Sequence, residues 1–324
     1  MADQVVVPPP GPHGGDADRL ARALGVAPHR ILDLSATLNP LARPAAPVVA
    51  AVSDAAGRYP DPAVATAALA EAIGVDPRRL LLTNGGSEAI ALVAADLRTA
   101  CVVEPEFSLW RRHLDVVTAD PGRRVRSNPN NPTGALAAAG EHAAVFDEAF
   151  YPLSTGEWTR GDTERGAIVV GSLTKLFACP GLRLGYVCSA DPDLLARLRQ
   201  RQVAWSVGTV ALAALPRLLA AAPLERWASQ LRVLRRQLVD VLVGAGLRPI
   251  ERDAPWVLVE DASSIRDPLA RRGVLVRDCA SFGLPGTVRV AVPGPDGLAR
   301  LEQALAAVTD GGPSAGAPVR RGRR

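Results

Sequence analysis

The sequence predicts an α/β protein: a mainly parallel sheet in a large domain, followed by a smaller α/β domain. Three observations predict it. Between Arg79 and Ala190, short Val/Ile/Leu runs alternate with turn residues. Apolar runs without polar alternation fit strands covered on both faces, as in parallel sheets. After Asp191 the texture changes to long helical periodicities and then to strands and helices in turn. A chain of 324 residues also exceeds a single small core, so two domains are expected.

The elements follow in order. LLLT at 80–83 leads into NGGSEAIALVAADL, whose spacing is helical. CVVEP, DVVTA, RRVRSN, AAVFDE, AIVVGS and LGYVCS read as further strands. DPDLLARLRQRQV opens on Asp191-Pro192, a helix start. In LERWASQLRVLRRQLVDVLVGAG, Leu224, Trp227, Leu231, Leu234, Leu238 and Val241 recur every three or four residues before a glycine stop. That is an amphipathic helix. WVLVE, a helix around SIRDPLARRG, VLVRD, TVRVAVP and a helix in DGLARLEQALAAV complete the smaller domain. The link at 135–142 is short for a parallel crossover, which with its helix needs at least about ten residues.

Composition excludes several function classes. No apolar run reaches membrane-spanning length, and the N-terminus does not read as a secretory signal. The net charge of +4 comes from four arginines in the last five residues. Without them 33 basic residues face 33 acidic ones, so a basic, disordered tail over 311–324 is expected and a nucleic-acid-reading domain is not. The four cysteines form no CxxC pair and the four histidines are scattered, which points to reduced thiols in a cytoplasmic protein and to no metal site.

One residue stands apart. Of 37 basic residues, 36 are arginine and Lys175 is the single lysine. Arginine keeps its proton, whereas lysine can lose it and attack a carbonyl. Five separated segments then read together. LLTNGGSEAI puts Gly86 and Ser87 at a helix start, where free N–H groups bind a phosphate; an ordinary strand–helix junction looks the same. SNPNNPTG fixes Asn131 in a rigid turn. Asp147 ends an apolar strand, where a carboxylate needs a partner, either a protonated ring nitrogen or an arginine. Ser172 and Arg183 flank Lys175, and Arg183 suits a phosphate. Arg289 interrupts TVRVAVP and suits a carboxylate. An amine for an aldehyde, a carboxylate for a ring nitrogen, an amide for a phenolic oxygen and donors for a phosphate together match pyridoxal 5′-phosphate.

With GGSE, NPNNPTG, DEAF, S-x-x-K with R-x-G, and V-R-V, the chain resembles the fold-type I, class I/II aminotransferase family of pyridoxal-phosphate enzymes from about Pro12 to Ala307. The resemblance implies a seven-stranded-type sheet and a set of roles. Lys175 and Asp147 would be catalytic. Gly86, Ser87, Ser172 and Arg183 would hold the phosphate, Asn131 the 3′-oxygen, and Arg289 the substrate carboxylate. Phe107, with Trp110 as a second candidate, would stack on the ring. Tyr59 would reach the phosphate of the neighbouring subunit, which implies a homodimer with shared sites. It also implies an arm at 1–40 on the small domain, a large domain at 41–205 and a small one at 206–310. Within the family, HGGDADRLARALG, LDLSATLNP, VLVRDCASFGL and Phe150 of DEAF are similar to the threonine-phosphate decarboxylase branch of cobalamin biosynthesis. Histidinol-phosphate aminotransferase, which would pass an amino group to 2-oxoglutarate, is the alternative, and a non-catalytic cofactor-binding protein a second. His13, Asn39 and Arg277 are then expected at the substrate's phosphate. The family usually has a second asparagine where Thr37 stands, and the short 118–142 region marks a trimmed member.

Overall fold

A computed structural model describes residues 6–309; the predicted tail at 311–324 lies outside them. Twelve strands form two sheets: β1 Leu32–Leu34, β2 Leu80–Asn84, β3 Thr99–Val102, β4 Val116–Val117, β5 Arg124–Ser127, β6 Val145–Asp147, β7 Ile168–Ser172, β8 Leu184–Cys188, β9 Arg248–Ile250, β10 Trp256–Glu260, β11 Val274–Asp278 and β12 Val288–Ala291. The larger sheet has seven strands in the order β2-β8-β7-β6-β5-β3-β4. Its pairs are parallel except at β8, which runs antiparallel to β7 and β2. Strands β6, β7 and β8 are buried along their whole length, as expected for apolar runs covered on both faces. DVVTA contributes only Val116–Val117, an exposed edge strand.

This topology gathers the chemistry at one edge. Asn84, Ser127, Asp147 and Ser172 are the last residues of β2, β5, β6 and β7. Because β8 runs the other way, Arg183, just before its start, lies at the same edge. Ligands in such sheets bind beyond the carboxyl ends of the strands.

The second sheet runs β1-β11-β12-β10-β9, so an N-terminal strand joins four from the C-terminal third. Only the β1–β11 pair is parallel. The helix Leu224–Gly244 buries Leu224, Trp227, Leu231, Leu234 and Leu238, the predicted stripe, with Leu242 in place of Val241 at its last turn. The β5–β6 crossover has no helix, in line with its length. Side chains hold it instead: Arg160 Nη2 donates to the carbonyls of Ala138, Ala139 and Glu141, while Arg124 and Arg126 pair with the Glu141 carboxylate.

Candidate active site

A cavity of about 490 Å³ opens at the shared strand edge and is walled on its other side by the second sheet. Lys175 enters it from the short helix Leu173–Leu176 that follows β7. Burial lowers its amine to about 8, with Arg183 and Arg289 adding to the fall and Asp147 opposing it. Such an amine gives up its proton near neutrality, as attack on an aldehyde requires.

Asp147 faces the same cavity and is 5% exposed. Burial lifts its carboxyl to about 7; the Ala149 N–H donates to it, and Glu106 pushes it up further. The indole N–H of Trp110 is near enough to oppose the rise but outside hydrogen-bond geometry. A buried carboxyl with one donor and no cation in contact fits a protonated ring nitrogen as its missing partner.

Around Lys175, Ser87 and Gly86 of the helix Gly85–Leu97, Ser172 and Arg183 form a cradle. The space there is reserved by glycine. Gly85 has φ +73°, and a side chain on it would strike the Arg183 guanidinium. A Cβ on Gly86 would come within 3.3 Å of Ser172 Cβ. Arg183 itself holds a left-handed φ of +52°. Non-glycine residues are kept so only where the surroundings impose it. Free helix N–H groups, two hydroxyls and a guanidinium could hold a phosphate here. The residues present therefore fit pyridoxal phosphate.

The second sheet supplies the other wall. Arg277 on β11 and Arg289 on β12 are register partners, side by side across an antiparallel pair and both buried. Neither forms an ion pair among the described residues. Arg289 donates to Asn131 Oδ1 and to the Ser35 carbonyl, lies 5.0 Å from the Trp256 ring, and leaves Nε buried and unpaired. Burial pulls it down to about 10, against the nearby Cys279, with Arg277 lowering it further. Asn131 lines the cavity with Oδ1 thus engaged and Nδ2 unbonded among the described residues.

At the substrate end the structure overturns the expectation for Asn39, while His13 and Arg277 do line the cavity. Asn39 is absent from the cavity wall: its Nδ2 donates to the Leu176 carbonyl, its Oδ1 accepts from Leu41, and its N–H donates to the Lys175 carbonyl. It clamps the N-terminal segment to the lysine helix. Arg277 does line the cavity, but it donates to the carbonyls of Gly11 and Pro12 and to Ser281 Oγ, which holds His13 in place. His13 is lowered first by burial, then by Arg277, Arg112 and Lys175. Phe107 lines the cavity and meets the His13 ring at 6.0 Å, whereas Trp110 is fully buried behind it. Tyr59 is 79% exposed, tilted against Trp205 with ring centroids 4.8 Å apart, and outside the cavity of its own chain. Arg112 and His113, from the helix Leu109–His113, are lining residues that sequence reasoning missed. Their signal was the basic run RRH shortly after Phe107.

Fold and site define a pyridoxal-phosphate enzyme, and comparison with known proteins agrees. Residues 125–308 match the model of aminotransferase class I and II, and the chain belongs to that family, whose cofactor is pyridoxal phosphate. The chain is 32% identical to threonine-phosphate decarboxylase of Salmonella typhimurium over 245 residues, 61% of this chain and 67% of the relative. It is 35% identical over 212 residues to a histidinol-phosphate aminotransferase of Mycobacterium tuberculosis, 60% of this chain and 57% of the relative. In fold it is similar to histidinol-phosphate aminotransferase from Sinorhizobium meliloti in complex with pyridoxal-5′-phosphate, with a TM-score of 0.76 at 20% identity over 91% of this chain and 94% of that one.

Proposed function

We propose that this enzyme decarboxylates a short phosphorylated amino acid, threonine phosphate being the leading substrate. The buried Arg277–Arg289 pair carries this reading. Like charges opposed across a strand pair repel, and a buried guanidinium without a carboxylate is costly. An anionic ligand removes both costs. Counting charges, the cavity presents Lys175, Arg112, Arg183, Arg277 and Arg289, with Asp147 as its one lining carboxylate. Arg183 would hold the cofactor phosphate, and Arg289 a substrate carboxylate. Arg112 and Arg277, with His13, remain for a second, distal anion.

When bound, the cofactor supplies an electron sink conjugated to the substrate's Cα. The protein decides which bond faces it, by where it pins the two anions. Lys175 holds the cofactor and moves the proton at Cα. Asp147 keeps the ring nitrogen protonated, and Phe107 excludes water from its face. Phe150 supports decarboxylation over transamination. It lines the cavity edge-on to Trp256 at 4.9 Å and offers no hydroxyl to the 3′-oxygen, which leaves Asn131 as its partner. Histidinol-phosphate-type transamination is the second reading, since relatives of both kinds align.

We read the chain as an arm at 1–40, a large unit at 41–205 and a small one at 206–310, supported by the sheet that each strand joins. We also read it as a cytoplasmic homodimer: the exposed Tyr59–Trp205 pair suits a subunit contact, and the four cysteines are free and buried. No helix among the described residues is long and apolar enough to cross a membrane. The test is direct. Cofactor-loaded protein is given threonine phosphate and CO₂ is measured. If none forms, while histidinol phosphate drives 2-oxoglutarate to glutamate, the transaminase reading replaces this one.

A further inference from the structure

Glu106 sits between Pro105 and the cavity ring Phe107, yet it is 3% exposed and does not line the cavity. It has four partners, none of them a cation. Its Oε1 accepts from the Phe107 N–H at 2.7 Å and from Ser127 Oγ. Its Oε2 accepts from the Ser127 N–H at 3.0 Å and from Asn130 Nδ2 at 3.4 Å. Ser127 Oγ in turn accepts the Asn131 N–H at 2.8 Å, so its own proton is free to point at Glu106. Every partner donates. Three of these partners are N–H groups that can only donate, and the fourth, the Ser127 hydroxyl, already accepts from Asn131, so a carboxylate satisfies all four at once. Burial favours the neutral form, with Arg126 and these hydrogen bonds opposing it. Burial raises its carboxyl overall, and the three N–H donors are the geometric feature that favours the anion against it.

This anion is coupled to the site through one strand pair. Ser127 is the register partner of Asp147 across β5 and β6, and the Asn128 N–H donates to the Asp147 carbonyl at 2.7 Å. Three groups besides Glu106 act on the Asp147 carboxyl: Lys175 from the helix after β7, Trp110 from the helix Leu109–His113, and the Ala149 N–H. There the Glu106 charge raises the Asp147 carboxyl while Lys175 lowers it.

We propose that Glu106 is a positioning residue: a fixed anion behind Asp147 that strengthens its hold on the cofactor's ring-nitrogen proton and, through Ser127, sets the orientation of Asn131. The proposal rests on the reading of Asp147 as the ring-nitrogen partner. A second negative charge in a dry site stabilises a nearby cation, here the protonated ring nitrogen. The directed chain Asn131 N–H to Ser127 Oγ–H to Glu106 holds the turn that presents the Asn131 amide.

The test uses pyridoxal phosphate labelled with ¹⁵N in the ring, loaded into wild type, Asp147→Asn, Glu106→Gln and Glu106→Asp at one neutral pH. The ring-nitrogen resonance of the wild type is expected at the protonated position, and that of Asp147→Asn at the unprotonated one. Glu106→Gln should lie between them, its protonated-to-unprotonated ratio lowered about tenfold, which corresponds to about 1.4 kcal/mol. Glu106→Asp, which keeps the charge, should stay with the wild type. A wild-type resonance in Glu106→Gln, with Asp147→Asn displaced, overturns the role of Glu106 and leaves Asp147 in place. An undisplaced Asp147→Asn overturns the reading beneath it. Ser127→Ala provides a second arm if the glutamine variant folds poorly. It breaks the hydroxyl link but keeps the charge, so the resonance should hold while cofactor release quickens about threefold or more. Unchanged release, or a displaced resonance, overturns the link.

Discussion

The two walls of the cavity solve opposite electrostatic problems. On the large-sheet side, a carboxyl is buried without a cation: Asp147 is lifted to about 7, chiefly by burial. On the small-sheet side, cations are buried without carboxylates: Arg277 and Arg289 face each other across β11 and β12. Each wall is incomplete in the sense that the other could partly repair, yet the fold does not let Asp147 pair with either arginine. Between them stands Lys175, its amine lowered to about 8. Perturbed titratable groups gathered in one cleft mark a candidate ligand site. On the proposed reading, a cationic ring nitrogen would answer one wall and anionic substrate groups the other.

Removing the group between the walls should have the largest effect. Lys175→Ala is expected to cut turnover by about 10⁴-fold if, as proposed, it carries the proton at Cα. In the wild type, borohydride reduction and peptide mapping should find the pyridoxyl group on Lys175. A label elsewhere breaks the comparison at its centre.

The small-sheet wall is next. Arg289→Met should weaken substrate binding by about 2–5 kcal/mol, read as a rise in KM. The same substitution should leave the melting temperature of the ligand-free protein unchanged or higher, because it removes one of two opposed buried cations. Stabilisation by added phosphorylated amino acid should fall at the same time. A large loss of ligand-free stability would mean that Arg289 is a structural group bound to Asn131 and Ser35, not a waiting anion site.

The two walls also differ in how legible they were. Asp147, Ser172 and the Gly85-Gly86 turn are strand ends and a helix start, so local pattern located them. Arg289 was legible as a charge interrupting a strand, but its opposition to Arg277 was not. Register between β11 and β12 is a long-range fact set by packing. Asn39 looked like a polar residue offered to substrate. The structure gives each of its hydrogen-bonding groups a partner near its own segment or the lysine helix, which no local signal foretold. Glu106 in PEF resembles any loop carboxylate, and only the fold buries it. The trimmed crossover was legible from length. Its arginine supports were not, because Arg160 reaches back across some twenty residues of sequence to hold it.

The large-sheet wall can be tested through pH. In the cofactor-free protein Asp147 sits at about 7, against an ordinary value of 3.8. The folded state therefore binds more protons than the unfolded state between those values. The stability this contributes is complete below pH 3.8 and is lost as pH rises through about 7. Glu148, also lifted to about 7 by burial, adds a slope of the same sign. Asp147→Asn should flatten the fall by at most about 1.4 kcal/mol per pH unit, seen in denaturant melts of cofactor-free protein across that window. Lys175 has the opposite sign: lowered from 10.5 to about 8, it contributes stability above 10.5 that is lost as pH falls through 8. A curve for Asp147→Asn that superimposes on the wild type would show that the carboxyl ionises freely, and the contrast between the walls would fail.

The smallest expected effect comes from Phe150, which belongs to the large-sheet side but packs on Trp256 of the second sheet. Phe150 is 8% exposed and lines the cavity next in sequence to Ala149, whose N–H donates to the Asp147 carboxylate. Phe150→Tyr adds one hydroxyl to this wall and removes nothing from the other. If that hydroxyl reaches the 3′-oxygen, the gain is one hydrogen bond, about 0.5–1.5 kcal/mol net. Cofactor affinity should then rise by no more than about tenfold, while KM for the phosphorylated substrate stays put, because the arginine wall is unchanged. The more telling reading is the product. A second bond to that oxygen competes with Asn131, whose Oδ1 is already committed to Arg289. Such a hydroxyl would alter how the substrate is presented relative to Arg289. The ratio of CO₂ to keto acid should fall in Phe150→Tyr. A ratio that does not move would show that the anion wall alone selects the reaction, which sharpens the comparison by giving chemistry to one side and choice to the other.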